Sequence, residues 1–145
     1  MDSENLFLSR CPVAKGVSRL GDAWSMMILR DASFGLTRFD QFRTSLGIAP
    51  NILTRRLSDL TADGILEKRR YSERPPRDEY VLTKAGMEFL PILALIGAWS
   101  LKQPGGEKLR RLVDADTGEE IKLELVDAKT GKSIEGRRLT LVDPS

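Results

Sequence analysis

The stretch LGIAPNILTRRLSDLTADGILEKRR, residues 46–70, decides how the middle of this chain folds. Gly47 predicts a turn, and Pro50 suits the first position of a helix, where its missing N–H costs no hydrogen bond. The Asp63-Gly64 pair predicts the end of that helix. At about 100° per residue the leucines of this segment fall within a narrow arc: Leu53, Leu57 and Leu60. We therefore expect a short helix that is held by its leucines and has its opposite face free.

The segments on either side of this helix complete a recognisable pattern. TRFDQFRTSL before it predicts a helix with Thr37 as N-cap and aromatic residues at helical spacing. After it, ILEKRRYS and DEYVLT alternate as two strands, and ERPPR between them reads as a loop kept extended by its prolines. A helix, a glycine turn, a second helix and a basic hairpin form the arrangement of a winged helix-turn-helix. The predicted fold class is α+β, mainly α with a small β component.

The charges of the middle segment indicate nucleic-acid binding. The chain carries a net charge of only +2, yet residues 38–77 hold nine Arg or Lys against five acids. On the second helix of the pair, four residues face away from the leucines and suit base readout: Asn51, Thr54, Arg55 and Ser58. Seven arginines suit the DNA backbone: Arg38, Arg43, Arg56, Arg69, Arg70, Arg74 and Arg77. Arg56 lies nearer the leucine flank, so an intramolecular ion pair is the open alternative for it.

Composition excludes several other classes of protein. Apolar residues make up 41% and charged residues 30%, which is typical of a globular chain. No His and only one Cys occur, so most enzyme and zinc sites lose their usual residues and no cofactor is expected. The longest apolar run, FLPILALIGAW, is shorter than the roughly 20 residues that span a bilayer and predicts a buried helix. We expect a cytoplasmic protein that is not an enzyme and has no membrane partner.

The remaining segments predict further helices and a small appendage. VAKGVSRLG and AWSMMILRDAS read as two helices, with Asp22 capping the second and Trp24, Met27, Ile28 and Ala32 turned inward. Thr83 is the expected cap of a long apolar helix that Pro91 should bend or interrupt. After the linker KQPGGE, the segments IKLELV and RRLTLVD alternate as short strands of a β meander. Their DTG and KTG triplets are interpreted as two similar turns and not as a repeat.

These readings divide the chain into three parts. Residues 1–10 are expected to be a flexible N-terminus, and residues 11–102 a winged helix-turn-helix domain for DNA binding and dimerisation. Residues 107–145 are expected to form a metal-free C-terminal β extension. No internal repeat long enough to matter is evident.

The ordered motifs of residues 10–100 resemble one family. CPVAKGVSRLGDAWSMMILRD, GLTRFDQFRTSLGIAPNILTRRLSDLTADGILEKR and PPRDEYVLTKAGMEFLPIL are similar to the HxlR-type transcriptional regulators, which are related to the MarR group. The resemblance implies a DNA-binding homodimer on a pseudo-palindromic operator, joined through its N-terminal and last helices. The residues it places at the dimer interface are Val13, Val17, Leu90, Leu93, Ile96 and Trp99. Ala49 and Asn51 depart from the Ser and the basic residue usual in the family.

The resemblance also raises two questions of regulation. Cys11 matches a cysteine that senses oxidants in some relatives, although a free Cys is commonly a small buried hydrophobe. Trp24, Met26, Met27 and Phe89 are candidates to line a small-molecule effector pocket, or else ordinary core. The tail is similar to a metal ribbon in which Thr117, Asp127 and Thr130 replace the ligands, so no metal is expected. The alternative to a DNA-binding regulator is a winged-helix module that binds only protein.

Overall fold

A computed structural model describes residue 5 and residues 8–145 of the chain. The predicted flexible N-terminus at residues 1–10 lies largely outside the described residues. Packing divides the chain after Leu93, and the second unit is Ala94–Ser145. Each unit is therefore described by itself.

Five α-helices and a two-stranded antiparallel sheet make up the regular structure of the described chain. They run in the order α1 Pro12–Leu20, α2 Ala23–Ser33, α3 Phe39–Leu46, α4 Pro50–Ala62, β1 Leu66–Glu73, β2 Pro76–Leu82 and α5 Lys84–Leu101, followed by a 3-10 turn at Gly106–Lys108. The predicted α+β winged helix-turn-helix is confirmed: α3 and α4 are the helix pair and β1–β2 is the wing.

One hydrophobic core holds the first unit together. Its buried members come from every element between α1 and β1: Leu20, Ile28, Leu29, Phe42, Ile48, Leu53, Leu57, Leu60, Ile65 and Leu66. The predicted leucine arc of α4 supplies three of them, which explains why that short helix is held in place. On α2, Ile28 is buried and Trp24 and Ala32 pack against the core as predicted. The sequence interpretation missed Leu29, which is fully buried.

The ends of the helices follow from local chemistry, with one correction. Asp22 caps α2 as predicted, since its Oδ1 accepts from the backbone N of Ser25 at 2.8 Å. The prediction of Thr37 as the N-cap of α3 is wrong, because Arg38 holds that position. The side chain of Gln41 satisfies this helix start instead, and its Oε1 accepts from the backbone N of both residues at 3.0 Å. Gly47 ends α3 with φ +62°, the left-handed conformation that favours glycine.

The wing is longer and more regular than the sequence indicated. The predicted ERPPR loop is wrong in extent, because Glu73 pairs with Pro76 and only Arg74 and Pro75 remain in the turn, joined by a cis peptide. A register shift between Arg70 and Ser72 forms a bulge in β1. Extended backbone on both sides of a two-residue connection gives a narrow, projecting hairpin.

Helix α5 begins against the core of the first unit. Thr83 caps it as predicted: its Oγ1 accepts from Gly86 N at 3.1 Å and donates to Gly64 O at 2.6 Å. At Gly86 a Cβ atom would collide with the carbonyl oxygen of Ile65, so only glycine permits this approach. The helix is not interrupted at Pro91, contrary to one of the predicted alternatives. Gly86 is its only buried residue, so the prediction of a buried apolar helix is not met within one chain.

The second unit contains a repeat that the sequence interpretation missed. Residues 113–121 and 126–134 share the pattern V-D-A-x-T-G-x-x-I. In each copy the Asp Oδ1 accepts a backbone N–H two residues on, the Gly has positive φ, and one antiparallel bridge closes the turn. The predicted strands of a meander, residues 121–126 and 137–143, are not formed; the bridges join Val113 to Glu120 and Val126 to Ser133 instead.

Candidate nucleic-acid interface

Helix α4 has one buried face and one exposed face. Leu53 and Leu57 are fully buried, whereas the predicted base-reading residues all lie on the exposed side: Asn51, Thr54, Arg55 and Ser58. A helix held along one side only can present the other to the major groove, which admits a helix. The predicted site residues of α4 are therefore brought together on one surface.

The four side chains differ in how free they are to bond a base. Thr54 Oγ1 donates its proton to Pro50 O at 2.9 Å. The side chain of Thr54 can therefore offer a base only its oxygen lone pairs, as an acceptor, and its methyl group. The side chains of Arg55, Asn51 and Ser58 have no hydrogen-bond or ion-pair partner among the described residues. Arg55 is consequently the free positive charge on this face, and its fork suits two acceptors on one guanine.

The neighbouring arginine of α4 is engaged within the chain. Arg56 Nε lies 3.3 Å from Asp22 Oδ1 without hydrogen-bond alignment, and its Nη1 lies 3.8 Å from Asp59 Oδ2. Of the two alternatives left open by the sequence, the ion pair is the one present. Because Asp22 also caps α2, this contact ties the end of α1 and the start of α2 to α4.

The wing arginines fall into a paired group and a free group. Arg69 Nη2 donates to Glu67 Oε2 at 3.1 Å, a bond that raises the pKa of Arg69, and Arg70 Nε donates to Asp78 Oδ1 at 3.4 Å. Arg74 and Arg77, at the tip, are exposed and have no partner among the described residues. The tip therefore carries the positive charge that a phosphate can reach without breaking an existing ion pair.

Arg38 links α3 to the wing. Its guanidinium carbon lies 4.4 Å from the centroid of the Tyr71 ring, and Tyr71 is the extra residue of the β1 bulge. A cation held over an aromatic face keeps its N–H groups available at the ring edge. A cleft of about 470 Å³ lies here, lined by Arg38, Phe39, Asp40, Gln41, Tyr71, Arg77 and Asp78. Arg43 is exposed on the same helix.

Two residues of this surface were missed from the sequence. Ile52 is exposed on α4 between Asn51 and Leu53, although its side chain is apolar. Tyr71 was read only as part of a strand, yet it positions Arg38. The signal for Ile52 was available, since an apolar residue outside the leucine arc has no core to enter, and a thymine methyl is a suitable contact for it.

The structure also places the residues suggested for regulation. Cys11 is the N-cap residue of α1 and is half-buried. Trp24 and Phe89 pack against the core, which agrees with the interpretation of these two residues as ordinary core. This unit also contains a polar cavity of about 220 Å³, lined by Ser18, Arg19, Asp22, Ser25, Arg56, Asp59, Ala62 and Asp63. None of the four residues suggested for an effector pocket lines this cavity.

The residues suggested for a dimer interface are mostly exposed within one chain. In the first unit Val13 and Val17 are exposed and Leu90 is half-buried, whereas Leu93 packs partly against the core. In the second unit Ile96 and Trp99 are exposed on the last turns of α5. Each unit therefore leaves large apolar side chains exposed to water.

Comparison with known proteins identifies the family. Residues 19–108, which include the helix pair and the wing, match the model of the HxlR-like helix-turn-helix family. The chain belongs to that family. HxlR-like proteins are transcriptional regulators of the helix-turn-helix type, and so is this chain.

Individual relatives of this HxlR-like chain agree with that assignment. An uncharacterized HTH-type transcriptional regulator of Mycobacterium tuberculosis is 32% identical over 131 residues, covering 88% of this chain and 82% of its own. The crystal structure of PA1607, assigned as a transcription factor, has a TM-score of 0.80 and 36% identity, and covers 92% of this chain and 96% of its own. The redox regulator HypR in its reduced form has a TM-score of 0.62 and 29% identity, covering 68% and 98% respectively.

Proposed function

We propose that this regulator binds double-stranded DNA with sequence preference, by placing α4 in the major groove and the wing on the phosphate backbone. The observation that carries the proposal is that α4 buries its leucines completely while Arg55, Asn51 and Ser58 remain free on the opposite face. Arg55 and Asn51 have the donors and acceptors that distinguish guanine and adenine.

The other arginines have graded roles in this proposal. Arg74 and Arg77 neutralise phosphates from the wing tip, and Arg38 and Arg43 do so from α3. Arg69 and Arg70 contribute less, because each already has a carboxylate partner. Arg56 supports α4 from within the chain and contacts DNA only weakly.

The regulator acts as a homodimer on a pseudo-palindromic operator. Exposed Val13 and Val17 in the first unit, and Ile96 and Trp99 in the second, support association of two copies. Two-fold symmetry then places the recognition helices about 34 Å apart, one turn of DNA. By length and mean hydropathy alone α5 is long enough to cross a membrane. Its start packs on the core through Phe89 and Leu93, however, which fits a cytoplasmic regulator.

Two routes of control belong to the proposal. Oxidation of Cys11 is supported by the similarity to the redox regulator HypR, and is tested by mass spectrometry and DNA affinity after treatment with diamide. A small-molecule effector is tested by a thermal-shift screen. Unchanged Cys11 mass together with unchanged affinity would remove the first route.

The central proposal is tested by fluorescence anisotropy on fragments selected from the source genome. If several phosphates are neutralised, the logarithm of the affinity falls steeply and linearly with the logarithm of the salt concentration. A flat salt dependence would contradict DNA binding and favour a module that binds only protein. Sedimentation equilibrium of the free protein tests the homodimer separately.

A further inference from the structure

The second unit contains an open apolar groove of about 390 Å³. It is lined by residues from the end of α5, from the segment 123–125 and from the end of the second repeat: Leu95, Ala98, Trp99, Lys102, Leu123, Glu124, Leu125, Ser133, Ile134 and Glu135. Its floor is apolar, and Trp99 and Leu125 are more than half exposed. Its acidic residues, Glu124 and Glu135, have no ion pair with any described side chain. The groove therefore offers an apolar surface beside two carboxylates and one ammonium group, that of Lys102, and none of the three forms an ion pair with a described residue.

The end of the same chain has the complementary properties. In residues 138–142 the apolar side chains are largely in water, Leu139 being 70% exposed, Leu141 58% and Val142 86%. None of the hydrogen bonds formed among the described residues uses the backbone of residues 138–142. The segment alternates Leu139 and Leu141 with Arg138 and Thr140, which is the period of a half-buried strand. Arg138 has no partner among the described residues.

We propose that residues 138–142 of one copy lie in the groove of a second copy, reciprocally. Leu139 and Leu141 would cover Trp99, Leu123 and Leu125, and Arg138 would meet Glu124 and Glu135. The inference rests on the proposed homodimer, because a two-fold arrangement lets each copy donate one tail and receive the other. The contact between tail and groove would add to the contacts between helices in that homodimer.

The tail does not fill its own groove in the structure. Arg137 N donates to Ile134 O at 3.1 Å and forms a turn at the end of the second hairpin. After this turn Leu139 and Leu141 remain exposed, and the groove stays open. The segments predicted as strands, 121–126 and 137–143, form no regular ladder within one chain. Exchange between copies would supply the missing partner strand and bury the apolar side chains of both segments.

The test is disulfide trapping between two differently tagged full-length chains. Both carry Cys11→Ser, and one carries Leu139→Cys while the other carries Leu123→Cys, so no disulfide can form within a chain. The two are mixed, allowed to exchange subunits and oxidised with copper phenanthroline. We expect a crosslinked heterodimer that is lost when the second chain carries Thr44→Cys, on α3, in place of Leu123→Cys. Arg138→Glu in the first chain should lower the yield, and Glu124→Arg in the second should restore it.

Three results distinguish this inference from the proposed function. Crosslinking no stronger than in the Thr44→Cys control, in a protein that sediments as a dimer, would overturn tail exchange and leave the homodimer standing. A disulfide formed within one chain by the double variant Leu123→Cys/Leu139→Cys, at the expense of the crosslink between chains, would also overturn it. A monomer in sedimentation would overturn both. DNA affinity and circular dichroism of each variant show that it is folded.

Discussion

The Nε atom of Arg56 lies 3.3 Å from Oδ1 of Asp22, the residue that caps α2. Arg55, its neighbour in sequence, has no partner among the described residues. Adjacent residues of a helix point about 100° apart, so two identical side chains meet different surroundings. This difference separates a residue that supports the domain from one that is free to contact DNA.

Substituting each arginine in turn should separate the two roles. Arg55→Ala should lower DNA affinity and relax base preference at one position, by about 1–3 kcal/mol for a bidentate contact. Arg56→Ala should lower the free energy of unfolding by up to about 1 kcal/mol, because its ion pair is partly exposed. Anisotropy on a base-substitution series and urea unfolding measure the two effects. A larger affinity loss for Arg56→Ala would reverse the assignment.

The tip of the wing should act without regard to sequence. Arg74→Ala and Arg77→Ala should each weaken binding to all fragments and reduce the slope of log affinity against log salt by about 1. Lys129→Ala, in the second unit and outside the interface, is the matched charge control. Equal slopes for Arg74→Ala and the control would show that the tip does not reach phosphate.

Ile52 should contribute to sequence preference through an apolar contact. Ile52→Ala should reduce discrimination for a thymine in the half-site, since a mismatched base pair costs roughly 1–3 kcal/mol and the methyl contact is one part of it. Replacing that thymine by uracil, which lacks only the methyl group, should lower wild-type affinity and leave the variant unchanged. Equal uracil sensitivity of both proteins would contradict the contact.

The recognition helix begins without a side-chain cap. Ala49 is its N-cap residue and makes no capping hydrogen bond, so Ala49→Ser should raise the free energy of unfolding by about 1 kcal/mol. Ala62→Ser, at the last residue of the same helix, is the control and should not stabilise the protein. Urea unfolding measures both, and equal effects would exclude capping as the cause.

The two glycines of α5 should respond to alanine in opposite directions. Gly86→Ala should destabilise the protein by about 1–3 kcal/mol, because its Cβ would collide with the carbonyl of Ile65. At Gly97 the nearest atom to a Cβ is a Leu112 methyl at 3.7 Å, an ordinary contact. Gly97→Ala should therefore stabilise by up to about 1 kcal/mol through helix propensity. Thermal unfolding of the two variants measures both effects. Destabilisation by both substitutions would contradict the predicted difference in sign.

Local patterns in the sequence predicted most of the elements. The leucine spacing of α4 and the capping residues Asp22 and Thr83 act within a few residues of their own position, so periodicity and propensity are enough to find them. One local prediction was wrong: Arg38 and not Thr37 is the N-cap residue of α3, and the side chain of Gln41 accepts from its backbone N. The other wrong prediction depends on a distant partner, since the predicted strands 121–126 and 137–143 have none among the described residues to complete a sheet.

The sequence by itself determined the helix pair, the wing and the face of α4 that carries Asn51, Arg55 and Ser58, because helical periodicity alone separates that face from the leucines. Only the tertiary structure decided which arginines are free. Arg56 is neutralised by Asp22, which is 34 residues earlier, and Arg38 is positioned by Tyr71 in a bulge. Pairing of charges depends on distances of a few ångströms between segments that are far apart in sequence, and the folded chain sets those distances.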